Sequence, residues 1–434
     1  MRDMDHHPHH GLTQSPRLKH RSGQIVAIAG ALSLAVAMGI GRFAFTPLMP
    51  IMAQEELLDI TAGSNLASAN YLGYLTGAML LMGAPRVMPN GVLVRLSLIA
   101  TALLTAAMAI NWPVGWLFFR FLAGVFSAFA FVGTSAWAFA HLTRLDASHF
   151  GGIVFTGPGL GIAFSGILAW ELFAVDLTTA TAWLAFAAVS FVATFILWPV
   201  LGDRDRPPRK DAYARGEPAA GRIDRVEIVV FALAYGFAGF GYIVTATFLP
   251  AMAHAELPPS IWLDAFWPLF GVAAAVGCLL AVNVAKRFDP RMLLFVAYVA
   301  QAIGALIILP LPTLVGFTTS SFLVGLPFTA INFFALKEVQ RLRPHAAARY
   351  MGMLTALYGI GQIAGPPVVA ALLSSAASVE AGYNAALGVA AASLALGSVI
   401  YLYMYFRWPL SEPAKGNRGP AHRTTCHDKP GANL

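Results

Sequence analysis

Two arginines stand inside long apolar stretches of this 434-residue chain. Arg42 lies in the run that begins near Ile25, within the segment GIGRFAFTPLMP, and Arg120 follows shortly after Val114 in a second run. A guanidinium group stays protonated in proteins and binds carboxylate or phosphate through two parallel hydrogen bonds. Because the apolar stretches around both arginines contain no Asp or Glu, the sequence favours a site for a visiting anion. Two other roles stay open: Arg120 could hold helices together through backbone carbonyls, and Arg42 could extend to the membrane surface.

The elements that must position these side chains are membrane-spanning helices. Hydrophobic residues make up 58% of the chain and charged residues 11%, against about 25% charged residues in soluble domains. A soluble fold cannot cover that much apolar surface. Apolar runs of about 20 residues are long enough to cross the hydrocarbon core as helices. Twelve such spans are predicted, at residues 24–49, 64–83, 91–110, 114–140, 150–170, 180–200, 225–250, 264–284, 291–310, 314–337, 351–374 and 383–406.

Basic residues alternate with the predicted spans. Of the 28 lysines and arginines, 26 fall near the termini, in the central linker or in every second loop, and the other two are Arg42 and Arg120. The intervening loops carry only acidic charges, among them Glu55, Asp176 and Glu256. This positive-inside bias predicts a multi-pass protein of the bacterial inner membrane with both termini in the cytoplasm. It also explains the net charge of +7 without nucleic-acid binding.

A charged segment rich in Pro and Gly, residues 201–224, separates the first six spans from the last six. Its composition predicts a flexible cytoplasmic linker between an N-terminal bundle, 24–200, and a C-terminal bundle, 225–407. The flanking segments 1–23 and 408–434 are expected to be disordered cytoplasmic tails.

The two sets of spans share short motifs. GIGRFAFTPLMPIM aligns without a gap with GFGYIVTATFLPAM, and FLAG aligns with FLVG. The matching positions are Gly39 with Gly239, Gly124 with Gly325, and Gly157-Pro158 with Gly365-Pro366. Repeated halves are how one class of secondary transporter builds a central substrate site and alternates its access.

On these motifs the chain resembles the major facilitator superfamily over residues 24–407. GIGRFAFTPLMPIM is similar to the first-span signature of the YbfB/YjiJ-type branch, and RFLAGVFSA, residues 120–128, fits the superfamily's fourth-span pattern. GIVFTGPGLGI, residues 152–162, is similar to the fifth-span Gly-Pro motif of exporters. The loop GAPRVMPNGVLVR departs from the family, because it lacks the acidic residue and the dense basic cluster. The resemblance implies an all-α membrane protein with twelve transmembrane helices in two pseudo-symmetric six-helix bundles.

The resemblance also implies a secondary active transporter that moves a small molecule by alternating access, with no cofactor, and we expect a monomer. The preferred substrate is a small organic anion bound by Arg42 and Arg120. The alternative is a proton-coupled efflux antiporter for hydrophobic or drug-like compounds, which the Gly-Pro motif and the many Phe and Met residues favour. The absence of a carboxylate well inside a span counts against proton coupling, although Glu171 and Asp264 at helix ends remain candidates.

Further site residues follow from the cavity-lining spans of the resembled fold. Tyr242, Asn332 and Gln362 are the preferred additional substrate-binding residues, and Asn70 and Tyr74 are weaker candidates. Helix packing is the favoured role of the other polar and aromatic residues in the spans: Tyr71, Trp267 and Tyr358. The prolines of Gly157-Pro158 and Gly365-Pro366 are predicted to bend their helices, either as gating hinges or in static packing.

Other functional classes find little support in the sequence. The segments GPGLGI and GIGQIAG lie in predicted helices rather than after a strand, so they do not predict a nucleotide site. No pairing of titratable residues predicts an enzyme, and Cys278 and Cys426 predict neither a disulfide nor a metal site. The cluster His6–His10 is expected to belong to the disordered tail rather than to bind a metal. A channel stays open as an alternative, although the repeat favours a rocking carrier.

Overall fold

The computed structural model describes residues 16–83, 88–202, 222–260, 262–343 and 347–409. The histidine cluster, Cys426 and most of the linker lie outside these ranges. Within them the chain forms fourteen α-helices and no strand. They are α1 (Pro16–Leu34), α2 (Phe45–Gln54), α3 (Ile60–Gly83), α4 (Asn90–Ala107), α5 (Pro113–Arg144), α6 (Gly151–Val154), α7 (Gly157–Ala174), α8 (Thr179–Leu197), α9 (Arg222–Glu256), α10 (Phe266–Val284), α11 (Pro290–Leu306), α12 (Leu314–Leu342), α13 (Ala347–Ser375) and α14 (Val379–Arg407).

The fourteen helices make twelve spans. A π-helical segment, Ala35–Ile40, joins α1 to α2 in the first span, and α6 and α7 together form the fifth. In the part of the chain that the structure describes, ten spans are long and apolar enough to cross a membrane. The other two are α11, which is apolar but shorter, and α3, whose 24 residues rise about 36 Å. The predicted all-α, twelve-helix membrane protein is confirmed.

The spans pack as two six-helix halves. In the N-terminal half α3 packs on α5 and α4 on α8, whereas in the C-terminal half α10 packs on α12 and α11 on α14. Between the halves, α3 lies against α13 and α7 lies against α10. We call the side on which α1 begins and α14 ends the terminal face, and the other side the opposite face.

One glycine in each half shows that the sequence repeat extends to helix packing. A Cβ atom on Gly124 of α5 would lie 2.0 Å from the carbonyl oxygen of Asn70 on α3. A Cβ atom on Gly325 of α12 would lie 2.6 Å from the carbonyl oxygen of Phe270 on α10. Both distances are too short for a side chain, so glycine allows the fourth and tenth spans to touch the second and eighth. The FLAG and FLVG motifs therefore serve equivalent contacts in the two halves.

The first span is irregular just before Arg42. In the π-helical segment the amide of Gly41 donates to the carbonyl of Val36, five residues back, at 3.0 Å. The carbonyl of Ala37, which would accept this amide in a regular helix, is bypassed. Single turns of π-helix occur frequently at functional sites because they leave backbone groups for other partners.

Candidate substrate-binding site

Arg42 is buried between the two halves. Its side chain is 3% exposed, and its Nη2 atom donates a hydrogen bond to Oε1 of Gln362 on α13 at 2.7 Å. Three aromatic rings surround the guanidinium carbon, with their centroids 4.1 Å away for Tyr74, 5.2 Å for Tyr71 and 5.3 Å for Phe43. Such contacts stabilise a desolvated cation by about 2 kcal/mol or more at buried sites. Arg42 therefore does not extend to a membrane surface.

Arg120 uses its guanidinium group on the backbone of the first span. Its Nη1 donates to the carbonyl of Gly41 at 3.2 Å, and its Nη2 donates to the carbonyl of Arg42 at 2.9 Å. The Arg42 carbonyl lacks the usual helical amide, because the amide of Thr46 donates to Phe43 instead. Arg120 thus supplies a hydrogen bond that the irregular helix does not make itself. This is the helix-holding role that the sequence left open.

A second side chain of α5 acts in the same way. Ser127 lies seven residues after Arg120, on the same face of the helix, and its hydroxyl donates to the bypassed carbonyl of Ala37 at 2.8 Å. Side chains of α5 therefore donate hydrogen bonds to both of these backbone carbonyls, those of Ala37 and Arg42, in the irregular first span. Sequence reasoning did not single out Ser127, although its spacing from Arg120 within RFLAGVFSA was a signal for a shared face.

Within the described ranges, neither site arginine has a carboxylate partner. Among the described residues, no Asp or Glu forms an ion pair with Arg42 or Arg120, and the Nε atoms of both arginines have no hydrogen-bond partner. Arg291, a fully buried arginine at the terminal end of α11, differs. Its guanidinium group pairs with Asp289 at 2.8 Å and approaches Glu338 at 3.6 Å. In the part of the chain that the structure describes, resident acids thus neutralise the buried Arg291, whereas the two central arginines have none.

Gln362 connects Arg42 to the C-terminal half. While its Oε1 atom accepts from Arg42, its Nε2 atom donates to the hydroxyl of Tyr242 on α9. Tyr242 is buried and occupies the position of Arg42 in the sequence repeat. The structure therefore brings three of the predicted site residues into one hydrogen-bonded chain across the interface.

Three tyrosine rings contact one another at the Tyr242 end of this series of hydrogen bonds. The ring of Tyr358 lies between those of Tyr242, at a centroid distance of 5.5 Å, and Tyr235, at 5.0 Å. We call Tyr235, Tyr358 and Tyr242 the tyrosine row. The hydroxyl of Tyr235 donates to Oδ1 of Asn332, so Asn332 lies at the terminal end of the row rather than at Arg42. Sequence reasoning assigned Tyr358 to packing and did not single out Tyr235, two helical turns from Tyr242.

The polar residues of α3 divide between packing and the site. Asn70 donates through Nδ2 to the carbonyl of Arg120 at 3.0 Å and so holds α3 against α5. Tyr71 and Tyr74 face Arg42 instead. The hydroxyl of Tyr71 also lies 2.9 Å from Oγ1 of Thr247 on α9, which makes a second hydrogen bond between the halves.

Aromatic side chains close the site toward the opposite face. The ring centroid of Phe43 lies 6.2 Å from that of Trp267 and 5.9 Å from that of Phe328, and all three side chains are buried. Toward the terminal face, Tyr74 and Tyr358 are half-buried and Asn332 is exposed. The exposed fraction of the site residues therefore increases toward the terminal face.

The two Gly-Pro pairs differ in their local structure. Gly157 and Pro158 start α7 after a turn that interrupts the fifth span, where proline fits the first helical turn. A Cβ atom on Gly157 would lie 2.2 Å from the carbonyl oxygen of Ala31, so this glycine permits close packing on α1. Gly365 and Pro366 lie inside α13, which continues through them.

The fold of this membrane protein is also found in solved structures. The folds of two solved transporters match it at 14% identity and 88% coverage of this chain. One is a point mutant of the nucleoside transporter NupG, with a TM-score of 0.69 and all of that chain covered. The other is a bacterial homolog of the human lysosomal transporter Spinster in an inward-facing, unoccupied conformation, with a TM-score of 0.64 and 98% of that chain covered.

The family follows from the sequence itself. Residues 34–402 match the family described as "Uncharacterised MFS-type transporter YbfB". Because this match covers most of the chain, the protein belongs to that family of major facilitator superfamily transporters, as the first-span motif indicated. No curated protein matches the chain significantly. The protein is thus a multi-pass membrane transporter for a small molecule, and family and fold indicate transport rather than catalysis.

Proposed function

We propose that this transporter moves a small organic anion across the bacterial inner membrane by alternating access, and that Arg42 binds the anion. The observation that carries the proposal is a guanidinium group buried between the halves without a carboxylate partner among the described residues. A charge near the middle of a membrane costs about 3 kcal/mol on insertion scales. A bound anion offsets that cost and is able to leave again.

Gln362 lies beside Arg42 in the position that we assign to one oxygen atom of the anion. Its amide oxygen is a neutral acceptor, whereas a carboxylate oxygen makes a charge-assisted hydrogen bond of roughly twice the strength. The Nε atom of Arg42 has no partner, and Nη2 on the same edge of the guanidinium group donates only to Gln362. A carboxylate that takes both donors binds through two parallel hydrogen bonds and releases Gln362.

Arg120 acts as a positioning residue in this proposal. Both of its Nη atoms donate to the first span, so they hold the backbone of Arg42 rather than the substrate. Asn70 supports α5 behind it. Tyr74 and Tyr242 fix the orientation of the Arg42 guanidinium group, directly in the case of Tyr74 and through Gln362 in the case of Tyr242.

The position of this site between the halves, 24–200 and 225–407, supports alternating access. The bonds from Arg42 to Gln362 and from Tyr71 to Thr247 both cross the interface. When a substrate anion replaces Gln362 as the partner of Arg42, the bond between Arg42 and Gln362 breaks. Binding is thereby coupled to the relative rotation of the halves. The positive-inside bias assigns the terminal face to the cytoplasm, so the conformation described here is inward-facing.

Proton-coupled efflux of hydrophobic compounds is the second candidate function. The aromatic side chains around Arg42 favour it, because apolar and aromatic linings bind drug-like compounds. Oδ1 of Asp264, one of the candidate coupling residues, lies 2.9 Å from Nε2 of His254 near the opposite face, within hydrogen-bond distance. This pair lies at the helix ends, away from the central site.

Counterflow in proteoliposomes separates these functions. Purified protein is reconstituted, the vesicles are loaded with one unlabelled compound, and uptake of its labelled form is followed with and without a pH gradient. The panel contains carboxylates, phosphate esters, neutral nucleosides and lipophilic cations. We expect saturable counterflow of carboxylates only. Counterflow of lipophilic cations driven by the pH gradient, without carboxylate exchange, would overturn the proposal in favour of efflux.

A further inference from the structure

We propose that the transported anion is an aromatic monocarboxylate, whose ring stacks beside the tyrosine row while its carboxylate binds Arg42. This inference rests on the proposed function and narrows its substrate class. It depends on which surfaces the side chains next to Arg42 present to a ligand.

Aromatic faces rather than polar groups surround the approach to Arg42. The ring of Tyr74 lies 4.1 Å from the guanidinium carbon on one side, and the tyrosine row continues from Gln362 toward the terminal face on the other. Tyr74 belongs to α3 and Tyr358 to α13, so the two halves each contribute an aromatic ring. Both rings are half-buried, whereas Tyr235 and Tyr242 are buried. Tyr74 and Tyr358 are therefore the rings that a ligand from the terminal face meets first.

Two of the three hydroxyl groups of the row already form hydrogen bonds within the protein. Tyr242 accepts from Gln362, and Tyr235 donates to Asn332. A polyhydroxylated or aliphatic polar ligand would find few free hydrogen-bond partners there. A planar aromatic ring, in contrast, gains stacking contacts of about 0.5–1.5 kcal/mol per ring pair beyond the burial of its surface.

The available guanidinium donors at the site are sufficient for one carboxylate. Arg42 offers an unpartnered Nε and an exchangeable Nη2, whereas Arg120 donates through both Nη atoms to the backbone. A second carboxylate would thus find no second pair of available N–H donors at the site. In an aryl carboxylate the charged group is coplanar with the ring, so it can meet the planar guanidinium group edge-on while its ring faces a tyrosine.

Three small probes of similar size test the inference by equilibrium binding to the full-length protein in nanodiscs. Benzoate has both ring and charge, cyclohexanecarboxylate has the charge without the aromatic ring, and benzamide has the ring without the charge. We expect benzoate to bind up to about tenfold tighter than cyclohexanecarboxylate, since one stacking contact corresponds to a factor of about 2 to 13. We expect benzamide to bind more weakly than benzoate.

Substitutions test which side chains contact the ring and the carboxylate of the ligand. Tyr358→Leu should weaken benzoate binding about 2- to 13-fold and leave cyclohexanecarboxylate binding unchanged, whereas Tyr358→Phe should preserve both. Arg42→Lys should weaken both carboxylates. Tyr403→Leu, on the exposed surface of α14, is the matched control and should change nothing. Size-exclusion chromatography and circular dichroism establish that each variant is folded.

The outcomes distinguish the two proposals. Equal affinity for benzoate and cyclohexanecarboxylate, or an unchanged benzoate affinity in Tyr358→Leu, overturns the aromatic class and leaves anion transport intact. If benzoate and benzamide bind with equal affinity, and Arg42→Lys does not alter that affinity, the anion site itself is overturned. Failure of both carboxylates to bind the folded wild-type protein overturns both.

Discussion

Arg42 and Gln362 are 320 residues apart in the sequence, and their side chains meet at 2.7 Å between the two halves of the transporter. The first residue carries a permanent charge and the second only an amide dipole. Because a buried cation is most stable next to an anion, this pair is an incomplete electrostatic match. We propose that a negatively charged ligand displaces the Gln362 amide and completes this match.

The first prediction concerns Gln362. Gln362→Glu keeps the shape of the side chain but gives Arg42 a resident carboxylate, so we expect the affinity for a transported anion to fall at least tenfold, or by about 1.5 kcal/mol. Binding in nanodiscs measures the effect. The control is Gln340→Glu, which places the same new charge on an exposed position of α12. Undiminished anion affinity in Gln362→Glu would argue against exchange at this residue.

The second prediction concerns the irregular first span. Ser127→Ala leaves the carbonyl of Ala37 without its 2.8 Å hydrogen bond, so we expect the free energy of unfolding to fall by about 1–3 kcal/mol. Ser135→Ala is the matched control, because the hydroxyl of Ser135 bonds only to the carbonyl of Phe131 in its own helix. Denaturant unfolding in detergent gives the comparison. Equal losses in the two variants would show that Ser127 has no special role.

The third prediction concerns helix packing. A Cβ atom on Gly73 of α3 would lie 1.9 Å from the carbonyl oxygen of Phe121 on α5, whereas nothing lies within 4 Å of a Cβ atom on Gly388 of α14. We expect Gly73→Ala to reduce the yield of folded protein and the thermal midpoint. Gly388→Ala should be neutral, or stabilising by up to about 1 kcal/mol through helix propensity. A neutral Gly73→Ala variant would contradict the close approach of α3 and α5.

The fourth prediction concerns access to the site. In a Cys278→Ser, Cys426→Ser background, Asn332→Cys should react rapidly with a membrane-impermeant maleimide added at the terminal face, because Asn332 is exposed. Trp267→Cys should react slowly from that side, since Trp267 is buried under Phe43. Inside-out vesicles present the terminal face if it is cytoplasmic. The reverse order of reactivity would show that the site opens toward the opposite face.

Much of this architecture could be predicted from the sequence. The length of the apolar runs determined the twelve spans, and the repeated glycines at Gly124 and Gly325 indicated equivalent contacts in the two halves. Gln362 and Tyr242 could be associated with Arg42 through the resembled fold, because polar groups in apolar spans need partners.

Other features depend on tertiary contacts that the spacing of residues in the sequence does not predict. The π-helical segment arises from a shift of backbone hydrogen bonds at Gly41, and the freed carbonyls carry no residue-type signal of their own. The partners of Arg120 and Ser127 could therefore not be read from the sequence. Tyr235 was missed because a tyrosine in an apolar helix is as well suited to packing as to binding, and its contact with the ring of Tyr358 is visible only in the fold.

The most direct test is the affinity of the purified protein for a labelled carboxylate that counterflow identifies, measured for the wild type, Arg42→Gln and Arg287→Gln. Arg287 is an exposed arginine at the terminal face and controls for the loss of one positive charge. We expect Arg42→Gln to lose at least about tenfold in affinity, as the loss of a charged hydrogen bond implies, and Arg287→Gln to bind like the wild type. Wild-type affinity in folded Arg42→Gln would contradict an anion site at Arg42.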